Sequence, residues 1–252
     1  MAKRAIGIDI GGTGIKGAIV DIKSGELVGE RIRIATPEGG KPADIAQAVK
    51  EMVKTLTSDK GHIPVGICFP AVVKAGRTMS AANISKEWIG LEAEALFEKT
   101  LGRDIHFMND ADAAGVAEMK FGAGRKEKGL VFMSTLGTGI GTALFIKGTL
   151  VPNAELGHLE IEGVDYETKA AYSAMEREGL SFAEWAKRLQ TYYSTIERLF
   201  SPDLIIVGGG ISKSYQEFLP LLKLNAPIVP AQKRNNAGIL GAASLAYKNR
   251  ED

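Results

Sequence analysis

Short apolar runs closed by glycine alternate along this chain with stretches whose apolar positions recur at helical spacing. Ala5 to Ile10 reads as a buried strand, Gly11-Gly12-Thr13-Gly14 as a turn and Gly17 to Ile22 as a second strand, which predicts a hairpin with a glycine-rich bend. After a turn at Ser24-Gly25, the alternation from Leu27 to Thr36 predicts a third strand. Ile45, Val49, Met52, Val53 and Leu56 share one helical face, and Val65 to Phe69 returns to strand. A helix from Glu92 to Thr100, a strand from Ile105 to Met108 and a helix from Ala111 to Phe121, capped by Asn109 or Asp110, complete the order β-β-β-α-β-α-β-α.

The second half opens the same way. Leu130 to Thr135 is a strand, Leu136 to Gly141 a glycine-rich turn and Thr142 to Ile146 the returning strand. Gly12-Thr13-Gly14-Ile15-Lys16-Gly17-Ala18 aligns without gaps on Gly137-Thr138-Gly139-Ile140-Gly141-Thr142-Ala143. Each hairpin is followed by a lysine, a glycine and a Leu-Val pair, at Lys23, Gly25 and Leu27-Val28, then at Lys147, Gly148 and Leu150-Val151. This is the mark of an internal duplication. Helical stretches come next, from Asp165 to Glu178 and from Phe182 to Phe200, then a strand from Leu204 to Val207 closed by Gly208-Gly209-Gly210. A helix from about Ser212 and a final helix from Gly238 to Tyr247 end the pattern. The expected architecture is α/β, with an N-terminal lobe over residues 1–115, a C-terminal lobe over residues 116–252 and a central cleft. The final helix is free to pack back on the first lobe.

Charge and cysteine content narrow the function classes. Lys and Arg number 31 against 30 Asp and Glu, a net charge of +1, which gives no support to a nucleic-acid partner. Cys68 is the sole cysteine, so thiolate-cluster metal sites and intramolecular disulfides are excluded and a reducing compartment is expected. Asp9 interrupts the apolar core that a secretion signal would need, and no apolar run approaches the ~20 residues that span a bilayer. The expected address is cytoplasmic, without membrane attachment.

Two matching glycine-rich turns suggest a phosphate clamp, because consecutive backbone N–H groups freed of side chains can converge on anionic oxygens. Thr13, Lys16 and Thr138 add hydroxyl and cationic donors. Taken singly, each turn is equally a tight hairpin. A dinucleotide fingerprint at Gly137-x-Gly139-x-Gly141 fails because a strand comes after it where a helix is needed, and no P-loop string or serine elbow occurs. Asn109-Asp110 stands between a strand and a helix, where a carboxylate is held rigidly or simply caps. Glu155-Leu156-Gly157-His158-Leu159-Glu160 gathers two carboxylates and a histidine, as a polyhydroxyl-binding edge or a surface turn; a metal site of the Glu-x-x-His kind would need a second copy, and His62 and His106 have no such neighbours. Gly208-Gly209-Gly210 admits a flat ligand or a plain strand-to-helix turn.

In order, Asp9-x-Gly11-Gly12-Thr13-x-x-Lys16, Asn109-Asp110, Leu136-Gly137-Thr138-Gly139-x-Gly141, Glu155-x-x-Gly157-His158 and Gly208-Gly209-Gly210 resemble the ROK family of sugar kinases. That family has the two-lobed actin-like ATPase/hexokinase (ribonuclease H-like) fold. The short length, Ser80-Ala81-Ala82-Asn83-Ile84 with Trp88-Ile89-Gly90, and Pro202-Asp203-Leu204 are similar to its polyphosphate-dependent branch. The resemblance implies phosphorylation of glucose at the 6-hydroxyl, with inorganic polyphosphate and ATP as donors and Mg2+ as cofactor. The alternative is a strictly ATP-dependent hexokinase of the same family, acting on glucose, mannose or an amino sugar.

The resemblance also implies residue roles. Asp110 takes the place of the catalytic base, and Asn83, Asn109, Asp110, Glu155, His158 and Glu160 those of sugar-binding residues. Gly11, Gly12, Thr13, Lys16, Gly137, Thr138 and Gly139 match the phosphate loops, with Asp9 near Mg2+ carried by the donor and no metal cage in the protein. Gly209 and Gly210 match the nucleotide site. The family's cysteine-rich zinc motif is missing, so no structural zinc is expected and His158 is left for the sugar. Regulators of the same family need a DNA-binding domain before the first strand, and a sugar-binding protein without catalysis has no use for both Asp110 and Lys16. Lys120, Arg125, Lys126 and Lys128, with Lys213 and Arg234, are candidates for a basic polyphosphate track. A homodimer is expected, with Trp185, Tyr192 and Tyr193 offering an apolar surface for it.

Overall fold

Glycine at the turn and β-branched residues on either side make β1 (Arg4–Ile10) and β2 (Ile15–Asp21) an antiparallel hairpin, closed by the pair Ile10 and Ile15. The structure, a computed structural model, describes residues 3–57, 63–81 and 84–248. The chain divides into two compact units: residues 1–117 with 236–252, and residues 118–235.

In the first unit, β3 (Glu26–Leu27) and β4 (Ile32–Ile34) both pair antiparallel with β2. The continuous strand expected from Leu27 to Thr36 is therefore broken, because Gly29 adopts φ +89°, a left-handed conformation open to glycine but strained for other residues. Helix α1 (Pro42–Thr57) begins on proline, whose fixed φ suits a first helical turn, and buries Ile45, Val49, Met52, Val53 and Leu56. Strand β5 (Val65–Phe69) is buried throughout. Next come the hairpin β6 (Val73–Lys74) and β7 (Arg77–Thr78), then α2 (Ala93–Leu101), β8 (His106–Asn109) and α3 (Asp110–Phe121). The sheet order is β3-β2-β1-β5-β8, with β5 and β8 parallel to β1.

The second unit repeats that order. Strands β9 (Leu130–Leu136), β10 (Ile140–Ile146) and β11 (Thr149–Val151) form an antiparallel meander, each antiparallel to the next. A short hairpin, β12 (Glu160–Ile161) and β13 (Val164–Asp165), precedes α4 (Glu167–Ala170), α5 (Tyr172–Glu178) and α6 (Phe182–Phe200). Strands β14 (Leu204–Gly208) and β15 (Ile228–Pro230) run parallel to β9, giving the order β11-β10-β9-β14-β15. Between the closing pairs, the first hairpin has Gly11 to Gly14 and the second only Gly137 to Gly139. The duplication thus keeps the topology and the returning strand while the loop loses one residue.

Three further expectations are corrected. The stretch from Asp165 to Glu178 is strand, then two short helices separated at Ala171, whose ψ of 154° interrupts helical geometry. The segment after the glycine triplet forms 3-10 turns over Gly210–Glu217, kinked at Ser214, rather than an α-helix. Trp185, Tyr192 and Tyr193 offer no surface: all three are fully buried in the second unit's own core, where α6, opened by a Ser181/Glu184 capping box, covers the sheet.

Helix α7 (Ala237–Lys248) closes the first unit. A methyl group on Gly7 of β1 would lie 1.9 Å from the Ile239 carbonyl oxygen, and one on Gly66 of β5 2.0 Å from that of Ala242. Glycine is required at both places by direct contact between sheet and helix backbone. Among the described residues no helix is long and apolar enough to cross a membrane.

Candidate active site

The parallel strands of the first unit end together, and chemistry-bearing residues collect on that edge, the usual place for ligands in open α/β sheets. Asp9 stands directly opposite Lys16 across the hairpin, and Lys16 Nζ lies 3.2 Å from Asp9 Oδ2. The buried Cys68 thiol donates to Asp9 Oδ1 at 3.8 Å. Burial pushes the Cys68 thiol far up, and the charges of Asp9 and Asp110 push it further. Both carboxylates therefore bear on one buried sulfur. Thr36 Oγ1 donates to the Gly11 carbonyl at 2.5 Å, and Gly11 N–H donates to Gly14 O at 3.0 Å, fixing the loop while Gly12 and Thr13 remain exposed.

Asn109 ends β8 and caps α3. Its Oδ1 accepts the Asp112 N–H at 3.0 Å, and its Nδ2 donates to Ala71 O at 3.0 Å. That anchoring leaves Asp110 as the first helical residue, half-buried, with Oδ1 accepting the Ala111 N–H at 2.8 Å. The carboxylate is held by a helix start rather than by a loop. Asn83 lies outside the described residues.

In the second unit the loop Gly137 to Gly139 is bound by residues of α4 and α5. Ser173 N–H donates to Gly137 O at 3.0 Å, and Ser173 Oγ to Thr138 O at 2.6 Å. Glu167 Oε2 accepts the Ile140 N–H at 2.7 Å, and a methyl group on Gly139 would lie 2.5 Å from the same oxygen. Gly209, at φ +86°, packs on the Leu136 backbone at the root of that loop, whereas Gly210 faces open space. The segment 154–157 is pinned by Thr142 Oγ1, which donates to Ala154 O and accepts the Leu156 N–H, and by Tyr192 Oη donating to Leu156 O at 3.0 Å.

His158 Nδ1 lies 2.9 Å from Asp165 Oδ2 and 4.0 Å from Glu167 Oε1. The hydrogen bond to Asp165 raises the His158 pKa, with Glu167 adding to it. Desolvation pushes the Glu155 carboxyl up, against the pull of His158. Glu160 sits in β12, paired in register with Asp165.

The ROK family profile matches residues 5–179. The chain belongs to the ROK family. It is 44% identical over 242 residues to the polyphosphate glucokinase of Mycobacterium tuberculosis, covering 96% of this chain and 90% of that one. Among ROK structures, it superposes on the inorganic polyphosphate/ATP-glucomannokinase of Arthrobacter sp. strain KM with a TM-score of 0.91. The two are 53% identical over 98% of this chain and 99% of that one. The ROK glucokinase of Streptomyces griseus, solved with glucose and AMPPNP, matches with a TM-score of 0.81 and 25% identity over 97% of this chain and 99% of that one. The fold is the actin-like ATPase/hexokinase fold of these ROK kinases.

Two carboxylates beside His158 escape sequence reasoning. Asp165 and Glu167 reach His158 because β13 turns back beside it, in a stretch whose composition favours helix. Their signal was a carboxylate seven and nine residues after the histidine. The basic-track candidates are divided by the structure. Lys128 adjoins Gly129, which packs on Asp203 just before β9, about 26 Å along the strand from Gly137. Lys213 and Arg234 come after β14 and β15, on the loop's side of the sheet.

Proposed function

We propose that the chain transfers a phosphoryl group to the 6-hydroxyl of glucose, from inorganic polyphosphate and also from ATP. The observation that carries this reading is the match to the polyphosphate/ATP-glucomannokinase, with a TM-score of 0.91 at 53% identity. The first unit supplies Asp110 as general base, accepting the hydroxyl proton as the oxygen attacks in line. It also supplies the loop Gly11, Gly12, Thr13 and Lys16 for donor phosphates, and Asn83 and Asn109 for the sugar. The second unit supplies Gly137, Thr138 and Gly139 for phosphate, Glu155, His158 and Glu160 for sugar hydroxyls, and Gly209 and Gly210 beside a nucleotide. Asp165 fixes the His158 ring, so that Nε2 is the nitrogen available to a sugar hydroxyl.

Among the described residues no three His, Cys, Asp or Glu side chains gather as a metal cage. Mg2+ commonly takes one or two carboxylates together with phosphate oxygens, and Asp9 and Asp110 on one sheet edge fit that donor set. Bound with the donor, it would neutralise charge on the phosphates. The protein works in the cytoplasm as a homodimer in this reading, the latter measurable by light scattering.

The test is glucose 6-phosphate formation with glucose and Mg2+, run in parallel with ATP and with long-chain polyphosphate as the only donor. Turnover with polyphosphate supports the proposal. Turnover with ATP alone supports the alternative, an ATP-dependent hexokinase such as the ROK glucokinase solved with AMPPNP. No turnover with either refutes the sugar assignment.

A further inference from the structure

Three charged residues form a row across the first unit's sheet. Asp9 on β1 faces Lys16 on β2, and Lys16 faces Arg33 on β4. Directly paired residues project from the same side of a sheet, so a carboxylate, an ammonium and a guanidinium stand side by side. Lys16 Nζ is engaged with Asp9 Oδ2 at 3.2 Å. Arg33 is exposed, and among the described residues it has no ion-pair or hydrogen-bond partner. Like charges facing each other across neighbouring strands are destabilising, and nothing in the row offsets the second cation.

The guanidinium is nevertheless not stretched out into solvent. It lies on the first phosphate loop: a methyl group on Gly14 would come within 3.1 Å of Arg33 Nη2 and 3.2 Å of Nε. Glycine at position 14 is what lets the planar group lie against the loop backbone. Two residues back along the chain, just before β4, Arg31 is held by its Nη1 donating to Asn236 Oδ1 at 2.9 Å. Two residues of chain span at most about 7 Å, so these cations form a short rail leading away from the loop.

We propose that Arg33, with Arg31 behind it, is an anion subsite for the phosphate units of a polyphosphate chain beyond the one being transferred. A guanidinium presents a fork matched to phosphate oxygens, and a chain charged on every unit meets successive cations where the adenosine of a nucleotide would bring none. The proposal rests on polyphosphate being a donor. It adds a site for the length of the chain, in addition to the loops that take its reacting end.

The test compares tripolyphosphate, long-chain polyphosphate and ATP as donors for the unaltered protein, Arg33→Gln and Arg33→Lys, with thermal melting to verify folding. For Arg33→Gln, KM for long-chain polyphosphate is expected to rise on the order of tenfold, and that for ATP by much less. The fall in KM from tripolyphosphate to long chains should shrink. Polyphosphate, like other polyanions, releases counterions on binding, so the log–log salt dependence of its KM should weaken by about one unit. Arg33→Lys should recover part of the loss, keeping the charge without the fork. Equal effects on all three donors, or an unchanged salt dependence, would overturn the rail while leaving the donor reading intact. If the unaltered protein uses ATP and not polyphosphate, the donor reading falls and the rail with it.

Discussion

Glu118 Oε1 accepts the backbone N–H of Lys233 at 2.5 Å, joining residues 115 positions apart. The chain passes between its units after Ala117 and again after Asn235, so this bond ties the two crossings together. The other oxygen accepts the Ala123 N–H at 2.8 Å, and Glu118 is fully buried. Removing the carboxylate leaves two N–H groups without their acceptor, at about 1–3 kcal/mol each. Glu118→Ala should therefore lower the unfolding free energy by about 2–6 kcal/mol, and Glu118→Gln by less, since its amide oxygen can still accept one of the two N–H groups. Urea unfolding monitored by tryptophan fluorescence measures both. Identical midpoints for Glu118→Ala and the unaltered protein would show that the tie carries no weight.

Asp110→Asn preserves the size of the side chain and an oxygen for the Ala111 N–H, but cannot take up a proton. Turnover should fall on the order of 100-fold or more with KM for glucose little changed and the fold intact. A rate near normal would move the base elsewhere.

The His158–Asp165 pair gives a pH signature with a definite sign. Its folded-state pKa lies above the ordinary 6.5, through the hydrogen bond to Asp165. The folded protein therefore holds a proton that the unfolded chain gives up. The stabilisation is complete below about 6.5 and is lost as pH rises through the folded value. Asp165→Asn should bring the His158 titration, monitored by NMR of its ring protons, back towards 6.5. It should also raise KM for glucose, because the ring is no longer held. An unmoved titration would assign the shift to Glu167 or Glu155 instead.

Cys68 reports on the first unit's core. Buried, with its pKa pushed far up by desolvation and two carboxylates, the thiol should not react with a disulfide reagent in the native protein. It should react fully in denaturant. Labelling kinetics at low denaturant then measure opening of the sheet beneath Asp9, and rapid labelling of the native protein would contradict the burial.

The paired hairpins were legible in the sequence because strand alternation and glycine punctuation are local, and because the repeat occurs twice. A cap at Asn109 or Asp110 was legible for the same reason, since the change from strand to helix falls there, and the structure gives it to Asn109. Local pattern could not show that Asp165 and Glu167 come back to His158, since their approach depends on a short hairpin inside a helix-favouring stretch. Nor could it show Arg33 opposite Lys16. Gly29 breaks the strand between them, and the register across such a break is set by pairing with β2 rather than by sequence spacing. The aromatic residues of α6 misled for a related reason: composition marks them as apolar, but only packing decides which apolar face is already covered.

Helix α7 lies backbone to backbone on Gly7 and Gly66, yet its residues are made only after the whole of the second unit. On the ribosome, the first unit is thus begun before the nested second unit and completed after it. Until residues 237–248 leave the exit tunnel, β1 and β5 have one bare face, while the second unit, continuous from 118 to 235, has its whole core in hand. The nested unit sets the order of assembly, and a nascent chain arrested short of α7 would present an open sheet to chaperones.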